Sequence, residues 1–212
     1  MQYLNDHPAL QSDDLDLTRE VHAAAGLELD LSQPSAPAAL FATVQERFGK
    51  ATILINNAAY STNENIHTLT AQALQSHMAV NVQGMALLCQ AFVQQFDEEA
   101  WVENGRIINL SSGQSHGPMP EELAYIASKG GVEALSLSLS AALASQGITV
   151  NAIDPGITDT GWIPDDLRQE FVSQAPMGRI GTPTDAARLV RFLASPEAGW
   201  ITGQLIRSRG GL

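Results

Sequence analysis

The chain has 212 residues, of which 44% are hydrophobic, and 23 acidic against 11 basic side chains give it a net charge of −12. This length and composition fit one compact domain with a buried core and exclude a fibrous or disordered chain. The negative charge argues against nucleic acid and anionic membrane surfaces as partners. No apolar run approaches the ~20 residues that span a bilayer.

Two further features predict a cytoplasmic protein. Cys89 is the single cysteine, so no intrachain disulfide can form, which fits a reducing compartment. The first ten residues lack a basic region followed by an apolar stretch, so we expect no signal peptide. Cys89 lies in an apolar helical run, where a buried small side chain is expected rather than a nucleophile.

The predicted elements of the first half alternate between strand and helix. Residues 27–31 (LELDL) predict a short strand, and residues 36–49 have apolar side chains at helical spacing. The apolar run 51–58 (ATILINNA) predicts a buried strand. A long helix is predicted over 70–96, with Thr70 as its N-cap.

The second half continues this alternation. Residues 105–112 (GRIINLSS) predict a strand, and 122–147 predict a second long helix. A strand over 148–154, a helix beginning after Thr182 and a last strand over 203–211 complete the pattern. Alternating elements with nearly continuous apolar strands predict an α/β fold, in which a parallel sheet is covered by helices on both faces.

Tyr125 and Lys129 stand four positions apart in the second long helix, so they share one helix face. A free tyrosine has a pKa of about 10, and a nearby ammonium group is expected to lower it. Such a tyrosine can protonate a carbonyl oxygen as hydride arrives. An ordinary amphipathic helix explains the spacing equally well. Ser112, at the end of a strand, is either a turn residue or a hydrogen-bond donor to the substrate oxygen.

Seven motifs occur in one order along the chain: N-N-A-A (56–59), N-V-x-G (81–84), R-I-I-N-L-S-S (106–112), Y-x-x-x-K (125–129), V-N-A-I-D-P-G-I-T-D-T (150–160), G-R-I-G-T-P (178–183) and W-I-T-G-Q (200–204). Their order and spacing resemble those of the short-chain dehydrogenase/reductase family. The resemblance is to the classical branch that includes 3-oxoacyl-carrier-protein reductases. It covers roughly residues 27 to 212 and implies a three-layer, Rossmann-like, doubly wound parallel sheet.

The resemblance implies roles for four residues. Tyr125 matches the catalytic acid/base, and Lys129 would bind the nicotinamide ribose beside it and lower its pKa. Ser112 would orient and polarise the substrate carbonyl. Asn81 would hold a water in the proton relay. The implied activity is NAD(P)-dependent hydride transfer between a nicotinamide cofactor and a carbonyl or secondary alcohol, with a 3-oxoacyl thioester as one candidate substrate.

Five residues are implied at the adenosine end of the cofactor. Asp30, with Leu31 beside it, matches the strand-end acid that meets the adenine amino group. Asn57, Ala58 and Ala59 match the segment that runs along the adenine ribose. Ala59 replaces the glycine that is usual in the family, which is a mild departure because alanine still lets a backbone approach closely.

Four more residues are implied at the other end of the cofactor. The backbone of Pro155, Gly156 and Ile157 would meet the nicotinamide carboxamide, and Thr160 would reach the phosphates. The sequence does not distinguish NAD from NADP, because the strand that reads the ribose 2′ position is not found.

One family motif, the glycine fingerprint T-G-x-x-x-G-x-G on the first strand-to-helix turn, is not found. Gly26 and Gly49 are the only glycines in residues 1–50, and neither opens a helix after a strand. The expectation is a single domain of this family that lacks the first βαβ unit, with 1–26 as an irregular remnant. Cofactor binding is then expected to be impaired.

Without that unit, the strand at 51–57 becomes an exposed apolar edge. The segment 27–31 then pairs directly with it, swaps into a neighbouring subunit, or stays disordered. Two functions are open: a working NAD(P)-dependent oxidoreductase, and a truncated, non-catalytic homologue that oligomerises without binding dinucleotide.

A mobile lid over a small-molecule substrate is expected at 157–180, where the family has one. Trp162, Met177, His116 and Met119 are candidates to line the substrate pocket. For Trp162 and Met177, simple packing of the lid onto the sheet is an equal alternative.

The long helices 70–96 and 122–147 match the family's dimer contact and imply a homodimer or homotetramer. No metal site is predicted, because His67, His77 and His116 lack the spacing of metal ligands.

Overall fold

A computed structural model describes residues 25–113 and 117–211. Among these residues, four strands form one sheet: β1 (Ile53–Asn56), β2 (Arg106–Leu110), β3 (Thr149–Asp154) and β4 (Leu205–Arg207). Six α-helices accompany them: α1 (Ala36–Phe48), α2 (Ala71–His77), α3 (Met85–Val93), α4 (Leu123–Leu143), α5 (Asp165–Gln174) and α6 (Pro183–Ala194). A π-helix, Met78–Gly84, joins α2 to α3.

The sheet is parallel throughout, in the order β1-β2-β3-β4. Ile55 of β1 is in register with Ile108 of β2, which is in register with Asn151 of β3. Helices connect each pair of neighbouring strands, as parallel pairing requires. The predicted α/β fold with a covered parallel sheet is therefore confirmed.

The two faces of the sheet pack against different helices. On one face, Leu54, Ile107 and Val150 join a core cluster with Phe92 of α3, whose side chain is fully buried. On the other face, the strands β2 to β4 pack against α6 through a second cluster centred on Leu193. Burial of each large apolar side chain contributes about 1.5–3 kcal/mol to stability, so these clusters fix the strand ends that carry the site.

The helix α6 does not reach β1. The side chains of Ile53 and Ile55 on that face are 42% and 46% exposed, as expected for an apolar edge at 51–57. Within the described residues, β1 is the edge of the sheet, so its outer backbone groups and its second face are both open.

The predicted strand at 27–31 is wrong. Residues 25–30 have no regular structure, and a turn begins at Leu31. Asp30 Oδ1 accepts a hydrogen bond from the Ser32 N–H at 3.0 Å, and the Asp30 carbonyl accepts one from the Gln33 N–H at 3.0 Å. These local bonds take the place of ladder bonds, so the predicted direct pairing with 51–57 does not form.

The helix predicted over 70–96 is divided into α2, the π-helix and α3. Thr70 is the N-cap as predicted, and its Oγ1 accepts a hydrogen bond from the Ala73 N–H at 3.1 Å. The π-helix ends at Gly84, where a Cβ would lie 2.8 Å from the Leu31 carbonyl oxygen. The glycine therefore lets the turn at Leu31 pack directly on the wide helical turn.

The remaining elements are shorter than predicted at their ends. The helix over 122–147 is α4 followed by a 3₁₀ turn that ends at Gly147, whose φ of 75° favours glycine. β2 and β4 cover only the middle of their predicted ranges. Thr182 and Asp185 form a capping box at α6, as the sequence predicts. Within residues 25–113 and 117–211, every helix is too short or too polar to span a lipid bilayer.

Candidate active site

The predicted catalytic residues converge at the carboxyl ends of β2 and β3. These ends are adjacent, because Leu110 is in register with Ile153. Ser112 follows β2 closely, Pro155 follows β3 directly, and Tyr125 lies in the first turn of α4. The parallel sheet therefore brings together groups that are far apart in the sequence, at the edge where ligands bind such folds.

The Ser112 hydroxyl lies close enough to the Tyr125 phenol to stabilise its ionised form, and the sequence predicted only that both would face the substrate. Burial raises the pKa of the Tyr125 phenol above its usual value near 10, and the Ser112 hydroxyl opposes that rise. The negative charges of Glu122 and Asp154 raise this pKa further. The phenol is therefore protonated at neutral pH.

The expected lowering of the tyrosine pKa by Lys129 is wrong in direction. Lys129 Nζ lies 5.5 Å from the centroid of the Tyr125 ring and donates a hydrogen bond to the Leu110 carbonyl at 2.7 Å. Only 4% of Lys129 is exposed, and burial lowers the pKa of its ammonium group from 10.5 to about 8. The i, i+4 spacing was correct, but burial is the largest cause of both shifts, and it raises the pKa of the phenol and lowers that of the ammonium group.

The ring of Tyr125 is held from its other side by His77, whose ring centroid lies 6.3 Å away in an edge-to-face arrangement. His77 is fully buried, and its Nε2 accepts a hydrogen bond from the Thr62 N–H at 3.2 Å. Its Nδ1 lies 2.8 Å from the Ala73 carbonyl and donates to it when the ring is neutral. These two bonds fix the orientation of the imidazole against the tyrosine.

Asn81 lies in the π-helix and is buried. Its Oδ1 accepts from the Tyr60 N–H at 2.6 Å, and its Nδ2 donates to the Tyr60 carbonyl and to Ser128 Oγ, each at 2.8 Å. Ser128 Oγ in turn donates to the Tyr125 carbonyl at 2.7 Å. The Asn81 side chain thus ties the loop after β1 to α4, one turn from the tyrosine.

The adenosine-side residues surround a small cavity of about 180 Å³ next to β1. Leu31, Asn57 and Ala58 line it, while Ala59 and Asp30 are exposed nearby in the chain. The hydrogen bond from Ser32 lowers the pKa of Asp30. The structure brings Leu31 to the segment 57–58 through the turn that replaces the predicted strand.

The segment after β3 is fixed by its own backbone. Gly156 has a φ of 64°, and its N–H donates to Asp154 Oδ1 at 2.9 Å. Pro155 and Ile157 are partly buried, and Thr160 is exposed. This left-handed position favours glycine, so the sequence of the turn matches the backbone that it adopts.

A dinucleotide fits these residues at both ends. At the adenosine end, Asn56 Oδ1 is buried without a hydrogen-bond partner and borders the cavity, so it offers an acceptor to a ligand hydroxyl or amine. At the other end, the Asp154 carboxylate accepts the Gly156 N–H and is close enough to Tyr125 to raise the pKa of its phenol. Within the described residues, no glycine-rich turn joins a strand to a helix.

The predicted lid, 157–180, contains the helix α5. The Trp162 indole N–H donates to the Thr158 carbonyl at 2.9 Å, and its ring lies 6.4 Å from that of Phe171, centroid to centroid. Met177 is 71% exposed. Met119 is partly buried, and His116 lies outside the described residues.

Two residues at the site were not identified from the sequence as a pair. Arg209 Nε lies 3.0 Å from Asp154 Oδ2, and both side chains are largely buried. Asp154 stood out as a strand-end acid, but nothing in the sequence links it to an arginine beyond the next strand. The sequence feature that could have indicated the pair is that side chains of opposite charge lie at the carboxyl ends of two strands that are neighbours in the sheet. Among the described residues, no three His, Cys, Asp or Glu side chains cluster as metal ligands.

Comparison with known sequences gives one family throughout. A family profile described as enoyl-(acyl carrier protein) reductase matches residues 3–212. The uncharacterized oxidoreductase YjdA of Bacillus subtilis is 49% identical over 185 residues, which are 87% of this chain and 73% of that protein. The 3-oxoacyl-(acyl-carrier-protein) reductase FabG of Staphylococcus aureus is 36% identical over 177 residues, which are 82% of this chain and 71% of that protein.

Solved structures agree with this result. The angucycline C-6 ketoreductase LanV with bound NADP is 32% identical with a TM-score of 0.77, covering 86% of this chain and 72% of that one. The reductase LugOII, which catalyses keto-reduction at C1 during lugdunomycin biosynthesis, is 35% identical with a TM-score of 0.81. That comparison covers 92% of this chain and 79% of LugOII.

Proposed function

The chain belongs to the short-chain dehydrogenase/reductase family and is an NAD(P)-dependent oxidoreductase of carbonyl compounds, and we propose that Tyr125, Ser112 and Lys129 carry its proton chemistry. The observation that supports these roles is the position of both partners beside Tyr125: the Ser112 hydroxyl is close enough to stabilise its ionised form, and the buried Lys129 ammonium lies 5.5 Å from its ring centroid. Two hydroxyls that meet at the end of a strand can both reach one carbonyl oxygen.

Ser112 binds the substrate carbonyl oxygen and polarises it. Tyr125 donates its proton to that oxygen as the oxygen gains negative charge. Because burial raises the pKa of the phenol, Tyr125 stays protonated at neutral pH, which suits an acid in the reductive direction. Lys129, one turn along α4, stabilises the phenolate that remains until a proton returns from solvent.

The cofactor lies between the two ends described above. A nicotinamide dinucleotide supplies the hydride. Leu31, Asn57 and Ala58 hold its adenosine, with Asp30 and Ala59 beside them. NADPH is the form to test first, because the LanV structure contains NADP.

The nicotinamide end is held by the turn after β3. There the backbone of Pro155, Gly156 and Ile157 meets the carboxamide. Thr160, which is exposed, reaches the phosphates. Asn81, to which the family resemblance gives the role of holding a water in the proton relay, also holds the loop at Tyr60.

A 3-oxoacyl thioester is the proposed substrate class. The support is the FabG relative, whose name gives that activity, and the ketone reductions named for both structural neighbours. The segment 157–180 acts as a lid on a single domain. Its exposed Met177 and half-exposed Trp162 are available to contact an acyl chain when the lid closes.

We further propose a cytoplasmic homodimer or homotetramer. Leu137 on α4 is 62% exposed and Trp200 is 98% exposed, and large apolar side chains of this kind suit burial between subunits. The one cysteine, Cys89, is buried, and burial raises the pKa of its thiol to about 12, so it is unreactive. Scattering that showed only monomers at assay concentrations would contradict the assembly.

The test is NADPH consumption with a short 3-oxoacyl thioester, measured for the parent chain and two variants. Tyr125→Phe removes the proposed acid and is expected to lower kcat by about 10²- to 10⁴-fold. Tyr60→Phe is the matched control, because it removes a phenol hydroxyl from a ring that contacts His77 and should leave kcat near the parent value. Equal turnover by Tyr125→Phe would exclude the proposed role, and a folded parent chain that neither binds nor consumes NADPH would favour the non-catalytic homologue.

A further inference from the structure

A buried ion pair lies at the carboxyl ends of β3 and β4 and has no part in the mechanism above. Asp154 is the last residue of β3 and is fully buried, and Arg209 follows β4 by two residues with 15% of its side chain exposed. Arg209 Nε is 3.0 Å from Asp154 Oδ2, although its N–H does not point along that line. Asp154 Oδ1 accepts the Gly156 N–H at 2.9 Å, so the carboxylate is held by a hydrogen bond at one oxygen and by the ion pair at the other.

The arginine side chain fills the space between two loops of the active site. A Cβ at Gly113 would overlap Arg209 Nη2 and lie 2.9 Å from its Cζ. A Cβ at Gly156 would lie 2.9 Å from Arg209 Cγ. Gly113 directly follows Ser112, so the guanidinium packs on the loop whose serine hydroxyl lowers the pKa of Tyr125.

The charges that face Tyr125 come from three elements. Lys129 lies on the same helix as Tyr125, and Glu122 directly precedes that helix. His77, at the end of α2, contacts the tyrosine ring and is hydrogen-bonded through both of its ring nitrogens. From β3, the carboxylate of Asp154 is close enough to raise the pKa of the phenol. Any group that compensates the charge of Asp154 therefore acts on the tyrosine without touching it.

We propose that Arg209 is a positioning residue for Tyr125. The Arg209 guanidinium neutralises the charge of Asp154 and packs between the loops after β2 and β3. It thereby sets the electrostatic potential at the tyrosine hydroxyl. The role rests on the proposed function of Tyr125 but involves residues outside the Ser-Tyr-Lys set. A buried carboxylate left without its partner keeps its full charge at the pH where tyrosine titrates, because even a strongly raised carboxyl pKa lies below 10.

Single substitutions in the pair separate the electrostatic role from a structural one. Asp154→Asn removes the negative charge and leaves the arginine, so the Tyr125 phenolate becomes easier to form and its pKa falls. Arg209→Met leaves the carboxylate unpaired, so the pKa rises. At the distances within one site, each shift should be about one unit. If the pair only holds the loops together, both variants loosen the same contact and shift the pKa in the same direction.

The measurement is a tyrosine titration followed by ¹³C NMR on chain labelled at the tyrosine ζ carbon. The chain has three tyrosines, Tyr3, Tyr60 and Tyr125, and the resonance of the last is assigned by its loss in Tyr125→Phe. No substrate or cofactor is needed, so the result does not depend on whether the proposed reaction occurs. Arg191→Met, which removes an exposed arginine in the last turn of α6, is the control for a general loss of one positive charge.

Opposite shifts in the two single variants, a near-parental pKa in the double variant and no shift in Arg191→Met would support the proposal. Shifts in the same direction, or no shift in either single variant, would overturn it. If Arg209→Met does not fold, the double variant is compared with Asp154→Asn. Removing the arginine there should raise the pKa by about one unit, and equal values would overturn the proposal.

Discussion

The two ends of the site differ in how fully the described chain builds them. At the catalytic end, Lys129 is buried and donates a hydrogen bond to the backbone of β2, and Ser112 lies close enough to Tyr125 to stabilise its phenolate. At the adenosine end, Asn57 and Ala58 are exposed, and they border a cavity next to the open edge of the sheet. Proton transfer needs groups fixed before the substrate arrives, whereas a binding edge can become ordered as the ligand binds.

The largest expected difference between these regions is in stability. Phe92→Ala should lower the free energy of unfolding by about 3–5 kcal/mol, because the ring is fully buried in the core cluster on the face of the sheet that α3 covers. Ile55→Ala, on the open face of β1 with 46% of the side chain exposed, should cost less than about 1.5 kcal/mol. Urea denaturation followed by circular dichroism measures both. Equal losses would mean that the open face of β1 is covered in solution.

A smaller effect concerns the charge buried at the catalytic end. The folded-state pKa of Lys129 is about 8, below the unfolded value of 10.5, so between these values the unfolded chain binds more protons. The contribution of this group to stability therefore rises with pH in that window. From pH 7 to 9, the parent should gain about 1.4 kcal/mol relative to Lys129→Met. Denaturant titrations at pH 7, 8 and 9 measure this, and a stability difference that does not change with pH would contradict the burial of the ammonium group.

The smallest effect concerns α6, the helix that covers β2 to β4 and leaves β1 open. Thr182→Ala removes the hydroxyl that accepts the Asp185 N–H and should cost about 1 kcal/mol. Thr182→Ser keeps the hydroxyl and should recover most of that loss. Thermal unfolding of the two variants distinguishes a capping effect from a general effect of substitution, which would be equal in both.

Local sequence patterns predicted those parts of the fold that depend on residues close together in the sequence. Thr70 and Thr182 cap their helices as the sequence indicates, and the apolar runs form the strands β1 to β3 in order. The segment 27–31 has the same kind of pattern but forms no strand, although the edge of β1 is open, because Asp30 accepts local hydrogen bonds from the N–H groups of Ser32 and Gln33 and a turn follows. Alternation along one segment does not reveal whether a local turn competes with strand pairing.

The sequence predicted which residues form the site better than it predicted their burial, their pKa shifts and their pairing. The spacing of Tyr125 and Lys129 placed them on one face of α4, but spacing contains no information on burial, and burial decides the direction of both pKa shifts. The pairing of Asp154 with Arg209 was not predicted, because it joins the ends of two strands and depends on the completed sheet. The π-helix that carries Asn81 has no signature distinct from that of an α-helix.

Cofactor binding tests the contrast between the two ends most directly. NADH and NADPH are titrated into the parent chain, Tyr125→Phe and Ala58→Leu, with calorimetry and cofactor fluorescence as readouts. We predict saturable binding below about 1 mM for the parent, in the usual range of enzyme affinities. Tyr125→Phe should bind equally well, and Ala58→Leu, which fills the cavity beside β1, at least ten times more weakly. A folded parent chain that binds neither cofactor at millimolar concentration, or an Ala58→Leu variant that binds like the parent, would contradict the account.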